Sequence, residues 1–150
     1  IFAEKYKQKK IFKYKDQNKM KIKNYQSGFK KFRRELVKFL KKFNKEIFIY
    51  GCGNRSCNFV NLLDISKYIK GYIDDNKNKQ NKFVPGSNLK VFSSEEIDLS
   101  KSIILLGVNC ENENKIINKI ENIHNIFSIL PPSKYLPEFW KSMIEKNKFK

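Results

Sequence analysis

Residues 46–76 read EIFIYGCGNRSCNFVNLLDISKYIKGYIDDN, and the order of residue types in this stretch decides the fold. Ile47 to Tyr50 is a short apolar run that stops at Gly51-Cys52-Gly53. Asn54 to Leu63 then carries Phe59, Val60, Leu62 and Leu63 at a spacing that suits one face of a helix. A second β-rich run, Tyr68 to Ile73, ends on Asp74. Strand, glycine turn, helix, strand and terminal acid follow in the order of a nucleotide-binding βαβ unit. In such a unit glycines permit a sharp turn and a close backbone approach to phosphate, the helix start offers N–H groups, and the acid accepts bonds from ribose hydroxyls. The third glycine of the G-x-G-x-x-G pattern is replaced by Ser56. A plain tight turn between a buried strand and its helix is the alternative reading. Arg55 favours the anion site, because a cation in the first turn of a helix opposes the helix dipole by roughly 0.3–1 kcal/mol unless an anion sits there.

Downstream, the alternation continues. Asn76 to Asn88 is a polar loop with a Pro85-Gly86 turn, Leu89 to Phe92 a short strand, and Ser93 with Glu96 a capping box that predicts a short helix. Ser102 to Val108 is the most continuous apolar run, as expected for a strand covered on both faces. Glu111 to Ile123 places Ile116, Ile117, Ile120 and Ile123 on one helical face, with Glu111 and Glu113 near its start. Asn125 to Leu130 is a fifth strand ended by Pro131-Pro132, and Pro137 to Lys146 a last helix that buries Phe139, Trp140 and Met143. Alternating strands and helices with right-handed crossovers give an α/β, Rossmann-like, five-stranded parallel sheet of order 3-2-1-4-5. In that order the first and fourth strands are neighbours at a switch point. Gly51 and Gly53, Asp74, and Gly107 with Asn109 and Cys110 therefore converge at the carboxyl ends of the strands.

The 150 residues suit one main domain behind a basic N-terminal extension, with the boundary expected between residues 27 and 28. The net charge of +17 is uneven: residues 1–45 carry 17 Lys and Arg against 3 acids, and residues 46–150 carry 15 against 12. Residues 1–25 interleave Lys with Phe2, Tyr6, Phe12, Tyr14 and Tyr25, an arm able to stack on bases or lie along phosphates. A charged helix or tail is the alternative, and abundant Lys, Asn, Ile and Phe also follow from AT-rich coding. From Ser27 a helix is predicted, with Phe29, Phe32, Leu36, Phe39, Leu40 and Phe43 at spacings of three and four and Asn44 at its end. No apolar run approaches the roughly 20 residues of a membrane span. We therefore expect a soluble, cytoplasmic protein without membrane attachment. Its first residue is Ile1, and we expect part of the protein to lie upstream. Cys52, Cys57, Cys110 and the one histidine, His124, lack the spacing of a zinc site. Cys52 and Cys110 are expected to be neighbours at the two adjacent strand ends.

These residues resemble the C-terminal domain of sugar C-methyltransferases that use S-adenosylmethionine (SAM). Gly51, Gly53 and Arg55 match its Gly-rich turn with a basic residue, and Asn61 matches an Asn in the following helix. Asp74 followed by Lys79-Gln80 and Pro85-Gly86 matches an acid followed by Lys-Gln and Pro-Gly, and Asn109 matches the fourth-strand Asn. The likeness runs over roughly residues 28–123, and it departs from the family where Gly107-Val108 stands in place of Pro-Trp. The resemblance implies a module that holds a nucleotide-linked sugar while another domain supplies the methyl group. No cofactor is then expected in this chain, SAM belonging to an upstream or separate domain, as does the family's zinc-binding cysteine domain.

The expected ligand-binding set is Gly51, Cys52, Gly53, Asn54, Arg55, Asp74, Lys79, Gln80, Gly107 and Asn109; for Lys79 and Gln80 an exposed loop pair is the alternative. No Ser-His-Asp, Cys-His or paired-carboxylate arrangement stands out, so the chain is not expected to catalyse on its own. Two other functions remain in view. One is a free-standing NAD- or nucleotide-binding Rossmann domain of a sugar-modifying protein, with Asp74 on a ribose. The other is a nucleic-acid-binding protein that uses basic residues 1–45; under the preferred reading the arm binds nucleic acid only weakly and without sequence preference.

Overall fold

A computed structural model describes the backbone over residues 2–120 and 125–148, and side chains over 18–24, 26–120 and 125–146. Two compact units divide the chain, residues 1–36 and 37–150. The first is helical throughout its described residues and belongs to α1, Phe2–Leu40. The helix begins well before Ser27. Residues 2–27 contain neither Gly nor Pro and are rich in Lys and Gln, good helix formers, so nothing interrupts the helix upstream of Ser27. Met20 and Ile22 lie on its exposed surface.

The second unit is built on β1 (Ile47–Tyr50), β2 (Gly71–Ile73), β3 (Val91–Phe92), β4 (Ile103–Leu106) and β5 (Ile126–Ser128). All pair in parallel in the order β3-β2-β1-β4-β5. This is the expected Rossmann-like sheet. Every residue of β1, β2 and β4 is buried, because the crossover helices α2 (Asn54–Leu63) and α3 (Cys110–Ile117) cover the sheet. Phe48, Tyr50, Ile104 and Leu106 alternate along β1 and β4 and share one core with Ile116, Ile117 and Ile120. Ile123 lies outside the described residues. The end of α1 and α4 (Glu138–Lys148) are tied down by rings: Phe39 meets Phe127 edge-on at 4.9 Å and Phe139 at 5.6 Å, and Trp140 stacks on Phe59 at 5.8 Å.

Several sequence expectations are corrected. The second strand starts at Gly71 and not Tyr68, since Ser66–Tyr68 forms a 3-10 turn. A Cβ on Gly71 would lie 2.5 Å from the Phe92 ring and 2.8 Å from the Lys90 carbonyl, so only glycine lets β3 approach. Of the capping box only one half forms, Ser93 N–H to Glu96 Oε2; Ser93 Oγ accepts Glu95 N–H instead of Glu96 N–H, and the segment closes a turn without a helix. Leu62 is 70% exposed and leaves the buried face of α2 to Ser56, Val60 and Leu63. Helix α1 ends at Leu40, before Asn44.

Candidate functional site

The site begins with the end of β1. Gly51 has φ +102°, and its N–H donates to the Ile73 carbonyl at 2.7 Å, so the chain turns out of the sheet while still tied to β2. Ser56, in the first turn of α2, is fully buried beneath this turn. Its hydroxyl lies 2.7 Å from the Gly51 carbonyl and 2.9 Å from the Gly53 carbonyl, and it accepts the Gly53 N–H at 3.1 Å. The residue in place of the third glycine is therefore a brace. The close approach that a third glycine allows is made from the other side, where a Cβ on Gly107 would lie 2.7 Å from Ser56 Cβ, 2.8 Å from Ile49 and 3.0 Å from the Gly51 carbonyl. Gly107→Ala is expected to cost about 1–2 kcal/mol, toward the lower end for an overpacked site because a single methyl is added. Urea melts check it; an unchanged midpoint would mean that α2 and β4 can separate freely.

Asp74, at the end of β2, reaches back under the same turn. Its Oδ2 accepts the Cys52 N–H at 2.9 Å and the Lys79 ammonium at 2.9 Å, and its Oδ1 accepts the Asn76 N–H at 3.0 Å. Lys79 also donates to the Cys52 carbonyl at 2.9 Å, and Gln80 donates to the Asp74 carbonyl at 2.9 Å. Arg55 spans to the far side. It donates to Asn109 Oδ1 at 2.8 Å and to the Pro131 carbonyl at 3.3 Å, both neutral oxygens. Helix α2 has no acid in its first turn to answer the dipole there.

Between these groups lies a crevice of about 350 Å³ at the carboxyl ends of β1 and β4. Its wall includes Gly51, Cys52, Gly53, Asn54, Arg55, Asp74, Lys79, Gly107 and Asn109, together with Val108, Asn112 and Leu130. Gln80 stands apart, bound to the backbone of Asp74. Asn112 could have been read from its place one helical turn after Asn109; Leu130 carried no sequence signal, because only the fold brings the end of β5 here. Asn61 lies in the neighbouring loop contact, where its amide donates to the Pro85 carbonyl at 3.1 Å and closes against Gly86, whose φ is +80°. Cys52 has Cys57 as a neighbour that the sequence reading did not name: the two sulfurs are 3.8 Å apart across the glycine turn. Cys110 is exposed.

A smaller cavity of about 240 Å³ adjoins, sharing Gly51, Asp74, Val108 and Asn112 and adding Tyr50, Asp75, Lys115 and Ile116. Asp75 organises it, accepting Tyr50 Oη at 2.7 Å, Ser94 Oγ at 3.3 Å and Lys119 Nζ at 2.8 Å. Burial raises the Asp75 carboxyl, but the bonds from Lys119 and Tyr50 outweigh it and hold the group below its ordinary 3.8. A carboxyl depressed by folding stabilises the fold above its unfolded value and loses that contribution as pH falls through the folded one. The stability gap between the parent and Asp75→Asn is therefore expected at neutral pH and to shrink as pH falls below 3.8. Thermal melts at stepped pH check this, and a gap that persists in acid would remove the linkage.

The model of one family, the C-methyltransferase C-terminal domain, matches residues 7–127. The chain belongs to this family. Among the described residues of this chain, no helix is long and apolar enough to cross a membrane. No curated protein matches the chain. Solved structures of RSP, a Rex-family repressor, are similar at 17% identity: the repressor alone (80% of this chain, 66% of that one, TM-score 0.45) and its complex with beta-NADH (80% and 68%, TM-score 0.44). Its complex with beta-NAD+ and operator DNA matches over 77% of this chain and 63% of that one, with a TM-score of 0.45. This chain thus spans just under two thirds of the length of the first of these structures.

Proposed function

We propose that this C-methyltransferase C-terminal domain is the nucleotide-sugar-binding module of a SAM-dependent sugar C-methyltransferase-like protein, acting in carbohydrate biosynthesis. The methyl donor is held by an upstream or separate domain. The observation that carries the reading is the crevice itself: about 350 Å³, at the switch point of the sheet, with Arg55 at the start of α2 donating to two neutral oxygens, those of Asn109 and Pro131. A diphosphate is a stronger acceptor for a guanidinium than either of those oxygens. The start of α2 adds its partial positive charge from the same side.

In this reading Arg55 and the Gly51-Cys52-Gly53 turn take the diphosphate, Asn54, Gly107 and Asn109 form the wall, and Asp74 with Lys79 and Gln80 holds the turn in shape. Its setting is the cytoplasm, which suits three free thiols. The basic α1 contributes at most weak, salt-sensitive contacts to nucleic acid. Isothermal calorimetry on the whole chain with dTDP-glucose, NAD and SAM tests the assignment. Binding of the nucleotide sugar without tight binding of SAM is expected. Micromolar binding of SAM, or of NAD in place of the nucleotide sugar, overturns it.

A further inference from the structure

We propose that Cys52 and Cys57 form a reversible disulfide that gates the crevice. Their sulfurs already touch at 3.8 Å, and a bond requires about 2.0 Å. The backbone of Cys52 is fixed on both sides, its N–H by Asp74 and its carbonyl by Lys79, while Cys57 is anchored in α2 by its N–H bond to the Gly53 carbonyl at 3.0 Å. Gly53 and Ser56 are held by their own bonds within the turn, so the closure falls on the two cysteine side chains and on the exposed Asn54 and Arg55 between them. The exposure of Asn54 and Arg55 leaves space for the shift, and both lie inside the ring that the bond closes. Oxidation moves the guanidinium that faces the ligand, so the gating part of the proposal rests on the nucleotide-sugar reading above.

The oxidant is a small-molecule disulfide. Burial first, and the adjacent Cys57 next, push the Cys52 thiol up to about 12, so Cys52 is a poor starting nucleophile. Cys57 as thiolate attacks one sulfur of the small disulfide and expels one small thiolate, leaving a mixed disulfide on Cys57. Cys52 then gives its proton to solvent and attacks the Cys57 sulfur, expelling the second small thiolate. Two protein thiols are oxidised and one small disulfide is reduced to two thiols. Transient bonds of this kind are the usual form of disulfide in a reducing compartment.

Glutathione disulfide is the probe, and trypsin supplies the readout. Cleavage after Lys45, Arg55 and Lys67 places Cys52 and Cys57 on separate peptides, 46–55 and 56–67. The treated protein is expected to yield these two peptides joined, and separable by reductant, with Cys110 not involved in the link. Recovery of the two peptides unlinked, or carrying only glutathione, overturns the disulfide. In parallel, dTDP-glucose affinity is expected to fall about tenfold on oxidation, the scale of one lost charge-assisted bond, and to be insensitive to the oxidant in Cys57→Ser. Equal affinity in both states of a cross-linked protein overturns the gate. Absence of dTDP-glucose binding in either state counts against the nucleotide-sugar reading and its gate, while the disulfide is judged on the linked peptides alone.

Discussion

Asp74→Ala is expected to destabilise the second unit by roughly 2–4 kcal/mol, the largest effect of any single crevice substitution. A hydrogen bond to a charged group contributes roughly 1.5–3 kcal/mol net, and this carboxylate accepts three donors: Cys52 N–H, Asn76 N–H and the Lys79 ammonium. The full sum is not reached. The Lys79 side chain is 42% exposed, so water recovers most of its share, whereas the Asp74 side chain is only 12% exposed and the Cys52 amide beneath the turn has little alternative. Asp74→Asn keeps one acceptor for that amide and should cost less than Ala. Urea unfolding of both variants measures the difference. If Asp74→Ala melts like the parent but loses dTDP-glucose, the acid is a ligand contact, as a ribose acceptor would be, and its bonds to the turn are incidental.

Arg55→Ala is expected to weaken dTDP-glucose by roughly 1.5–3 kcal/mol, which is about tenfold or more. Its effect on stability should stay within about 0.5 kcal/mol, the usual bound for a surface substitution. The guanidinium is exposed, its bonds to Asn109 and Pro131 are made in reach of water, and its removal also relieves a cation at the wrong end of α2. Calorimetry and melts on one preparation separate the two quantities. Unchanged affinity would make Arg55 a strut between α2 and the start of α3, and the phosphate site would have to lie elsewhere.

The sheet was legible because its signals are local. Ile47–Tyr50 and Ser102–Val108 are apolar runs of strand length, and Gly51 after the first and Gly107 near the end of the second announce a turn. Strand order then followed from right-handed crossovers together with the Rossmann-like pattern that places the glycine turn at the switch point. What escaped was set by partners distant in sequence. Gly71 looked like an ordinary strand residue until β3 lay against it, Leu62 looked like core until α2 turned it outward, and Leu130 reaches the crevice only through β5. The role of Asp74 had the same origin: sequence order places an acid after β2, but not the Cys52 amide that occupies it. The resemblance brought Asn61 and Pro85-Gly86 forward as separate marks, and they prove to be the two sides of one contact.

The hydroxyl of Ser56 has a kinetic corollary. Glycine turns that must order around a phosphate forfeit conformational entropy at that moment, and association then waits on a rearrangement. Here one buried oxygen holds the Gly51 and Gly53 carbonyls and the Gly53 amide. The cradle is rigid beforehand. Stopped-flow traces for a phosphate-bearing ligand should be single exponentials whose rate rises linearly with concentration, and removing the Ser56 hydroxyl should introduce a plateau.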